Sequence, residues 1–108
     1  SLVINKDNEL VSGSGDTTIK IWNMTTGEVK KTLIGHTSYI GALALNQNNE
    51  LISGSGNGTI IVWDMITGQV KKALNEHSNA VRTLIVNKNN ELISGSADET
   101  IKIWNTLT

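Results

Sequence analysis

The three tryptophans of the chain, Trp22, Trp63 and Trp104, stand 41 residues apart, and His36 and His77 keep the same spacing. A constant period of this length constrains the fold more than any other feature, because it demands one local structure built repeatedly and stacked. Copy one covers residues 1–41, copy two 42–82, and an incomplete copy three 83–108. The first two agree at 20 of 41 positions. All three share Leu2/Leu43/Leu84, Asn5/Asn46/Asn87, and Asn-Glu-Leu at 8–10, 49–51 and 90–92. They also share Ser-Gly-Ser at 12–14, 53–55 and 94–96, and Thr-Ile at 18–19, 59–60 and 100–101.

Within each copy, short apolar runs alternate with turn residues. In copy two these are "ALAL" (42–45), "ELIS" (50–53), "TIIVW" (59–63) and "QVKKAL" (69–74). Runs this short, rich in Ile, Val, Leu and Thr, favour strands. Asn57-Gly58 between two of them signals a hairpin. The clusters "NKDN", "NQNN" and "NKNN" supply asparagine, which tolerates left-handed backbone and closes tight turns. The run "EVKKTL" (28–33) also places Val29 and Leu33 on one helical face, but it is too short to stand alone as a helix and reads as a strand. Each copy is thus about four antiparallel strands. Such a sheet cannot bury both faces by itself, and stacking the copies buries them.

Composition narrows the function classes. A formal charge of −1 argues against the basic footprint of a nucleic-acid binder and gives no pull toward acidic lipids. There is no cysteine, hence no disulfide and no thiolate ligand. No apolar run approaches the roughly 18 residues of a membrane helix, and no signal peptide opens the sequence. A cytoplasmic location fits these features. Phe and Pro are absent, so the core is expected to be aliphatic, with tryptophan used sparingly.

The repeat resembles the WD-repeat β-propeller family. Copy two carries the signature dipeptide Trp63-Asp64, and "GHTSYI" (35–40) matches the family's Gly-His turn. "SGSGDTTIKIWN" (12–23) and "SGSADETIKIWN" (94–105) match its strand-turn-strand core, with Asn23 and Asn105 in place of the signature Asp. The resemblance covers the whole chain. It implies an all-β fold of four-stranded blades: blade 1 near 1–34, blade 2 near 35–75, and blade 3 near 76–108 without its outer strand. Strand a, innermost, is expected near 1–5, 40–46 and 81–87. Strand b is expected near 9–14, 50–55 and 91–96, strand c near 18–22, 59–63 and 100–104, and strand d near 28–33 and 69–74. Three blades form an open arc, since closed propellers use about four to eight. Closure needs further blades of a longer chain or of a homo-oligomer.

His77, Ser94 and Asp98 are the residue types of a nucleophilic triad. The resemblance implies instead a structural hydrogen-bond network, His77–Ser94–Asp98–Trp104, in which the indole only donates and the carboxylate only accepts. Recurrence favours that reading, because His36, Ser53 and Trp63 sit at the same offsets, as do Ser12, Asp16 and Trp22 without a histidine. No Gly-x-Ser-x-Gly elbow surrounds the serines. In copy two Asn57 replaces the Asp, so its bond to His36 is expected to be the weaker one. The Gly-rich turns lack the Lys-Ser/Thr of a phosphate loop, and two histidines one period apart have no ligand cluster around them. The Val-Lys-Lys lysines (29–31 and 70–72) read as solvated edge-strand charges.

No catalytic residue, metal ligand or cofactor is expected. Family members are mostly non-enzymatic platforms, and the resemblance implies partner binding through the top face. The positions that point there are Tyr39, Gly41, Ala80 and Arg82, with Gly15, Gly56 and Ala97 before the b–c turn. Tyr39 and Arg82 are the hot-spot residue types among them. The alternative function is a self-assembling propeller unit whose activity is ring closure, two copies giving six blades.

Overall fold

A computed structural model describes residues 1–105. It contains eleven strands: β1 Leu2–Ile4, β2 Leu10–Gly13, β3 Ile19–Trp22, β4 Val29–Leu33, β5 Ile40–Leu45, β6 Leu51–Ser55, β7 Ile60–Trp63, β8 Val70–Leu74, β9 Val81–Val86, β10 Glu91–Ser96 and β11 Ile101–Asn105. They form three antiparallel meanders, β1-β2-β3-β4, β5-β6-β7-β8 and β9-β10-β11. The fold is all-β and the three sheets form an open arc. The ambiguous run 28–33 is strand β4. The expectation that the third sheet lacks an outer strand concerns residues past 105, which lie outside those described.

The turns follow the residue types. Asn8, Asn49 and Asn90 close the β1–β2, β5–β6 and β9–β10 hairpins with φ of 61, 60 and 63°. Asn takes this left-handed conformation at less cost than most side chains. The turn into β7 uses Gly58 at φ 89°, and its equivalents are Thr17 at 79° and Glu99 at 71°.

Registers repeat with the sequence. Leu2 faces Ser12, Leu43 faces Ser53, and Leu84 faces Ser94. Alternation then sends successive side chains to opposite faces. Val11, Ile19, Ile21 and Leu33 of the first sheet pack with Leu43, Leu51, Ile61 and Trp63 of the second. Ala42, Ala44, Ile52, Ile60 and Val62, on the second sheet's other face, pack with Val81, Leu84 and Leu92 of the third. The middle sheet is covered on both faces, and all of β6 and β7 is buried. Each aliphatic side chain fully buried there contributes about 1.5–3 kcal/mol. The end sheets are covered on one face only. Leu2 and Ile4 remain 66 and 56 % exposed, and Ile85, Ile101 and Ile103 remain 57, 75 and 67 % exposed.

Candidate functional site

Ser94 lies on β10 two residues from Leu92, the register partner of Trp104, so Ser94 and Trp104 share a face. The Trp104 indole Nε1 donates to Ser94 Oγ at 2.9 Å, and His77 Nε2 meets the same oxygen at 2.7 Å. His77 Nδ1 lies 2.8 Å from Asp98 Oδ2. The carboxylate only accepts, so the proton sits on Nδ1 and Nε2 accepts the Ser94 hydroxyl. Ser78 N also donates to Asp98 Oδ2 at 3.0 Å, Thr100 N to its Oδ1 at 2.9 Å, and the Thr100 hydroxyl to Oδ1. The Thr100 hydroxyl first, then His77 and the Ser78 amide, hold the Asp98 carboxyl well below its ordinary range.

The structure thus brings His77, Ser94, Asp98 and Trp104 together at hydrogen-bond distance. Ser94 is completely buried, as is Ser53 at the same position of the middle sheet. Ser94 Oγ is shared between indole and imidazole and is not presented at the surface. The chain of bonds ties the loop before β9, the β10–β11 turn and two strands into one unit.

The middle sheet departs from the expectation. His36 Nε2 meets Ser53 Oγ at 2.6 Å and Trp63 Nε1 donates to that oxygen at 2.8 Å. Asn57 does not bond His36, weakly or otherwise. Its Nδ2 donates to Thr37 Oγ1 at 2.9 Å, while its Oδ1 accepts from Ser55 Oγ at 2.9 Å and Thr59 N at 3.2 Å. An amide offers one acceptor oxygen, and the turn has taken it. His36 Nδ1 is left buried without a partner. Burial pushes the imidazole down to about 4 from an ordinary 6.5. In the first sheet Trp22 Nε1 donates to Ser12 Oγ at 2.9 Å, and the exposed Asp16 binds Thr18 N at 3.0 Å and Thr18 Oγ1 at 2.6 Å.

His36 therefore makes stability depend on pH. The folded state keeps its imidazole neutral down to about pH 4, whereas an unfolded imidazole protonates near 6.5. Between these values the unfolded chain binds more protons, so stability is full above pH 6.5 and falls as pH drops toward 4. The expected loss from this one group is about 2–3 kcal/mol. Urea denaturation across that window should show a clearly flatter pH slope for His36→Ala than for the parent chain, and equal slopes would remove His36 as the cause.

Sequence reasoning missed a second repeated constellation. Asn5 Oδ1 accepts from Asp7 N at 3.0 Å and Glu9 N at 2.9 Å, and Asn5 Nδ2 donates to Glu9 Oε1 at 2.9 Å. The same clasp recurs at Asn46 with Glu50 and at Asn87 with Glu91. Lys30 and Lys71 on the outer strands pair with Glu9 and Glu50. Lys30, then Asn5, holds the Glu9 carboxyl below its ordinary range. The turns also bond from sheet to sheet: Lys6 N donates to Asn49 Oδ1 at 2.9 Å, and Gln47 N to Asn90 Oδ1 at 2.8 Å. The signal was present in the identity of Asn5, Asn8 and Glu9 across all three copies. Lys31 Nζ reaches the carbonyls of Met65 and Ile66 at 3.2 and 2.9 Å, so this lysine joins neighbouring sheets and is not simply solvated.

At the opposite rim the Tyr39 ring lies over Gly56, where a Cβ would stand 2.2 Å from Tyr39 Cε1. Gly56 N donates to Tyr39 O at 2.8 Å. Tyr39 is about half exposed, and Arg82 on β9 is exposed. Gly41 sits at the register shift of β5, and a Cβ there would stand 2.7 Å from the Val81 carbonyl oxygen. Gly41 thus links the Tyr39 ring to the start of β9. Ala80 faces inward: it is buried, and its carbonyl accepts from Ala97 N and Ser96 Oγ, both at 2.9 Å. It presents no side chain to a partner, contrary to the expectation. Among the described residues no three His, Cys, Asp or Glu converge as metal ligands, and no helix is long and apolar enough to cross a membrane.

Stacked antiparallel meanders of four, four and, among the described residues, three strands, each bearing a Ser–Trp pair, define the blades of a β-propeller. Residues 1–23, 27–64 and 68–105 match the family described as WD domain, G-beta repeat, and the chain belongs to that family. Its members generally act as non-enzymatic mediators of protein–protein interaction. The WD40 β-propeller domain of Doa1 superposes with a TM-score of 0.92 at 26% identity, over 98% of this chain and 36% of that one. The computationally designed Ika4 protein superposes with a TM-score of 0.83 at 42% identity, over 95% and 62%. Among curated proteins, Cell division control protein 4 of Candida albicans is 56% identical over 32 residues, 30% of this chain and 5% of that protein. The chain spans 5, 10 and 14% of the length of the first three curated relatives it matches.

Proposed function

We propose that the chain is a non-enzymatic protein-interaction scaffold whose partner contacts centre on Tyr39 and Arg82 at the rim carrying the entries to β5 and β9. The observation that carries this reading is the half-exposed Tyr39 ring braced on Gly56. An aromatic ring already held in place loses little freedom on binding, and Tyr and Arg are the side chains that most often anchor interfaces. Gly41 and Ala80 support the rim through packing and main-chain bonds. The buried hydroxyls of Ser94 and Ser53 support a structural role for both histidine networks and argue against hydrolysis. The near-neutral charge favours proteins over nucleic acid or membrane as partners.

A displayed peptide library panned on the chain tests the reading. Recovered binders should lose at least about tenfold in affinity to Tyr39→Ala or to Arg82→Ala. Binders that ignore both substitutions would move the interface elsewhere.

A second reading is favoured by the exposed apolar faces of the two end sheets: the chain is an assembly unit that buries those faces against another copy. Monomeric proteins rarely leave such faces uncovered.

A further inference from the structure

The first and third sheets leave faces that match the two interfaces already formed inside the chain. In the first interface Val11, Ile19 and Ile21 pack with Leu43, Leu51 and Trp63. One period on, in the second, Ile52, Ile60 and Val62 pack with Leu84, Leu92 and the half-buried Trp104. A further period on, the same positions are Ile93, Ile101 and Ile103, and their counterparts one period before the first interface's set are Leu2, Leu10 and Trp22. Ile101, Ile103 and Leu2 are 75, 67 and 66 % exposed, whereas their equivalents in the middle sheet, Ile60, Val62 and Leu43, are 0, 3 and 7 % exposed.

The polar half of the interface keeps the same step. Lys6 N donates to Asn49 Oδ1 and Gln47 N to Asn90 Oδ1. The next donor in the series is Lys88 N, and the acceptor at the other end of the chain is Asn8. Asn8 holds the same left-handed conformation as its two equivalents, φ 61° against 60 and 63°, so its turn is set in the accepting geometry.

We propose that a second copy of this chain docks head to tail. The open face of β9–β11 of one copy lies on the open face of β1–β3 of the next, and Lys88 N donates to Asn8 Oδ1 across the contact. The inference rests on the assembly reading above and adds its polarity, its register and its residues. The contact is heterologous: each copy presents two different faces, and neither face is complementary to itself.

Sedimentation of the 108-residue chain and of three variants tests this. Leu2→Lys spoils the leading face and Ile103→Lys the trailing face, both at positions already exposed, and circular dichroism checks that each variant stays folded. The parent chain should run above the mass of one copy. Each variant alone should run as a single copy, because every head-to-tail contact uses one spoiled face. An equimolar mixture of the two should form a two-chain species and nothing larger, since only one pair of faces remains intact. Asn8→Gly, which keeps the turn conformation and removes the acceptor, should weaken self-association about tenfold. A parent chain that stays single at all concentrations would overturn the assembly reading itself and assign both faces to blades outside this sequence. An assembling parent with either lysine variant still assembled, or with a mixture that stays single, would overturn the head-to-tail pairing alone. Unchanged association of Asn8→Gly would remove the Lys88–Asn8 bond.

Discussion

Trp63→Ala is expected to cost about 3–5 kcal/mol, a large share of what a domain this small possesses. The ring is completely buried in the core shared by the first two sheets. Its far end presses on the loop before His36, where a Cβ at Gly35 would stand 2.9 Å from the ring. Truncation removes that packing and opens a cavity between two sheets that cannot close without shifting a strand. It also takes from Ser53 its indole donor, beside a histidine that already lacks one partner. Trp22→Ala, compared at a dilution that keeps the chain a single copy, is the control. That ring makes the same bond to its serine but is only half buried, on the uncovered face of the first sheet. Its loss should cost about 1–2 kcal/mol. Urea denaturation followed by far-ultraviolet circular dichroism compares the two without using tryptophan emission. Equal losses would mean that the middle sheet gains nothing from being covered on both sides.

Gly54→Ala should destabilise by about 2–3 kcal/mol while its repeat equivalent Gly95→Ala stays within about 0.5 kcal/mol of the parent. An added Cβ at Gly54 would stand 2.5 Å from Val81 Cγ1 and 2.8 Å from Val81 Cβ. The second of these atoms is fixed to the main chain of β9, so no rotamer relieves the clash and the sheets must separate. At Gly95 the nearest atom is Thr83 Cγ2 at 2.9 Å, the end of an exposed side chain that can turn aside. Gly13 repeats the tight case, with Ile40 Cγ2 at 2.4 Å and Ile40 Cβ at 2.9 Å. The same denaturation experiment decides, and a tolerated Gly54→Ala would show that neighbouring inner strands have room to spare.

The strands were legible because the repeat multiplies each weak signal by three, and the period-two faces then follow from any one register. The Asn turns were legible for a local reason, the left-handed tolerance of that side chain at Asn8, Asn49 and Asn90. The His77 constellation was visible through the matching serines and tryptophans. What escaped depends on competition for one atom or on groups far apart in sequence. Asn57 was placed beside His36 by analogy, but its single acceptor oxygen satisfies the turn first. Lys31 looked like a plain edge charge, and its carbonyl partners lie 34 and 35 residues on. Ala80 sat at a position read as surface, and only the path of the main chain into β9 turns it inward. The positive φ at Thr17 and Glu99 has no sequence signal, since Gly58 alone advertises that conformation.

The registers of the three sheets coincide, Leu2 on Ser12, Leu43 on Ser53 and Leu84 on Ser94, and this has a cost during folding. A collapsing chain meets several inner strands that offer nearly the same ladder and the same apolar teeth. A sheet assembled from strands one repeat out of step keeps the contacts of the positions that the copies share. What rejects the error is the set of positions where the copies differ, about half of each repeat, among them Asn57 against Asp16 and Asp98, and Lys20 and Lys102 against Ile61. The energy gap between the ordered arc and its repeat-shifted isomers is therefore carried by the side chains that differ between copies. Mispaired, slowly resolving species are the characteristic failure of a molecule built this way, in which similarity between repeats trades against fidelity of assembly.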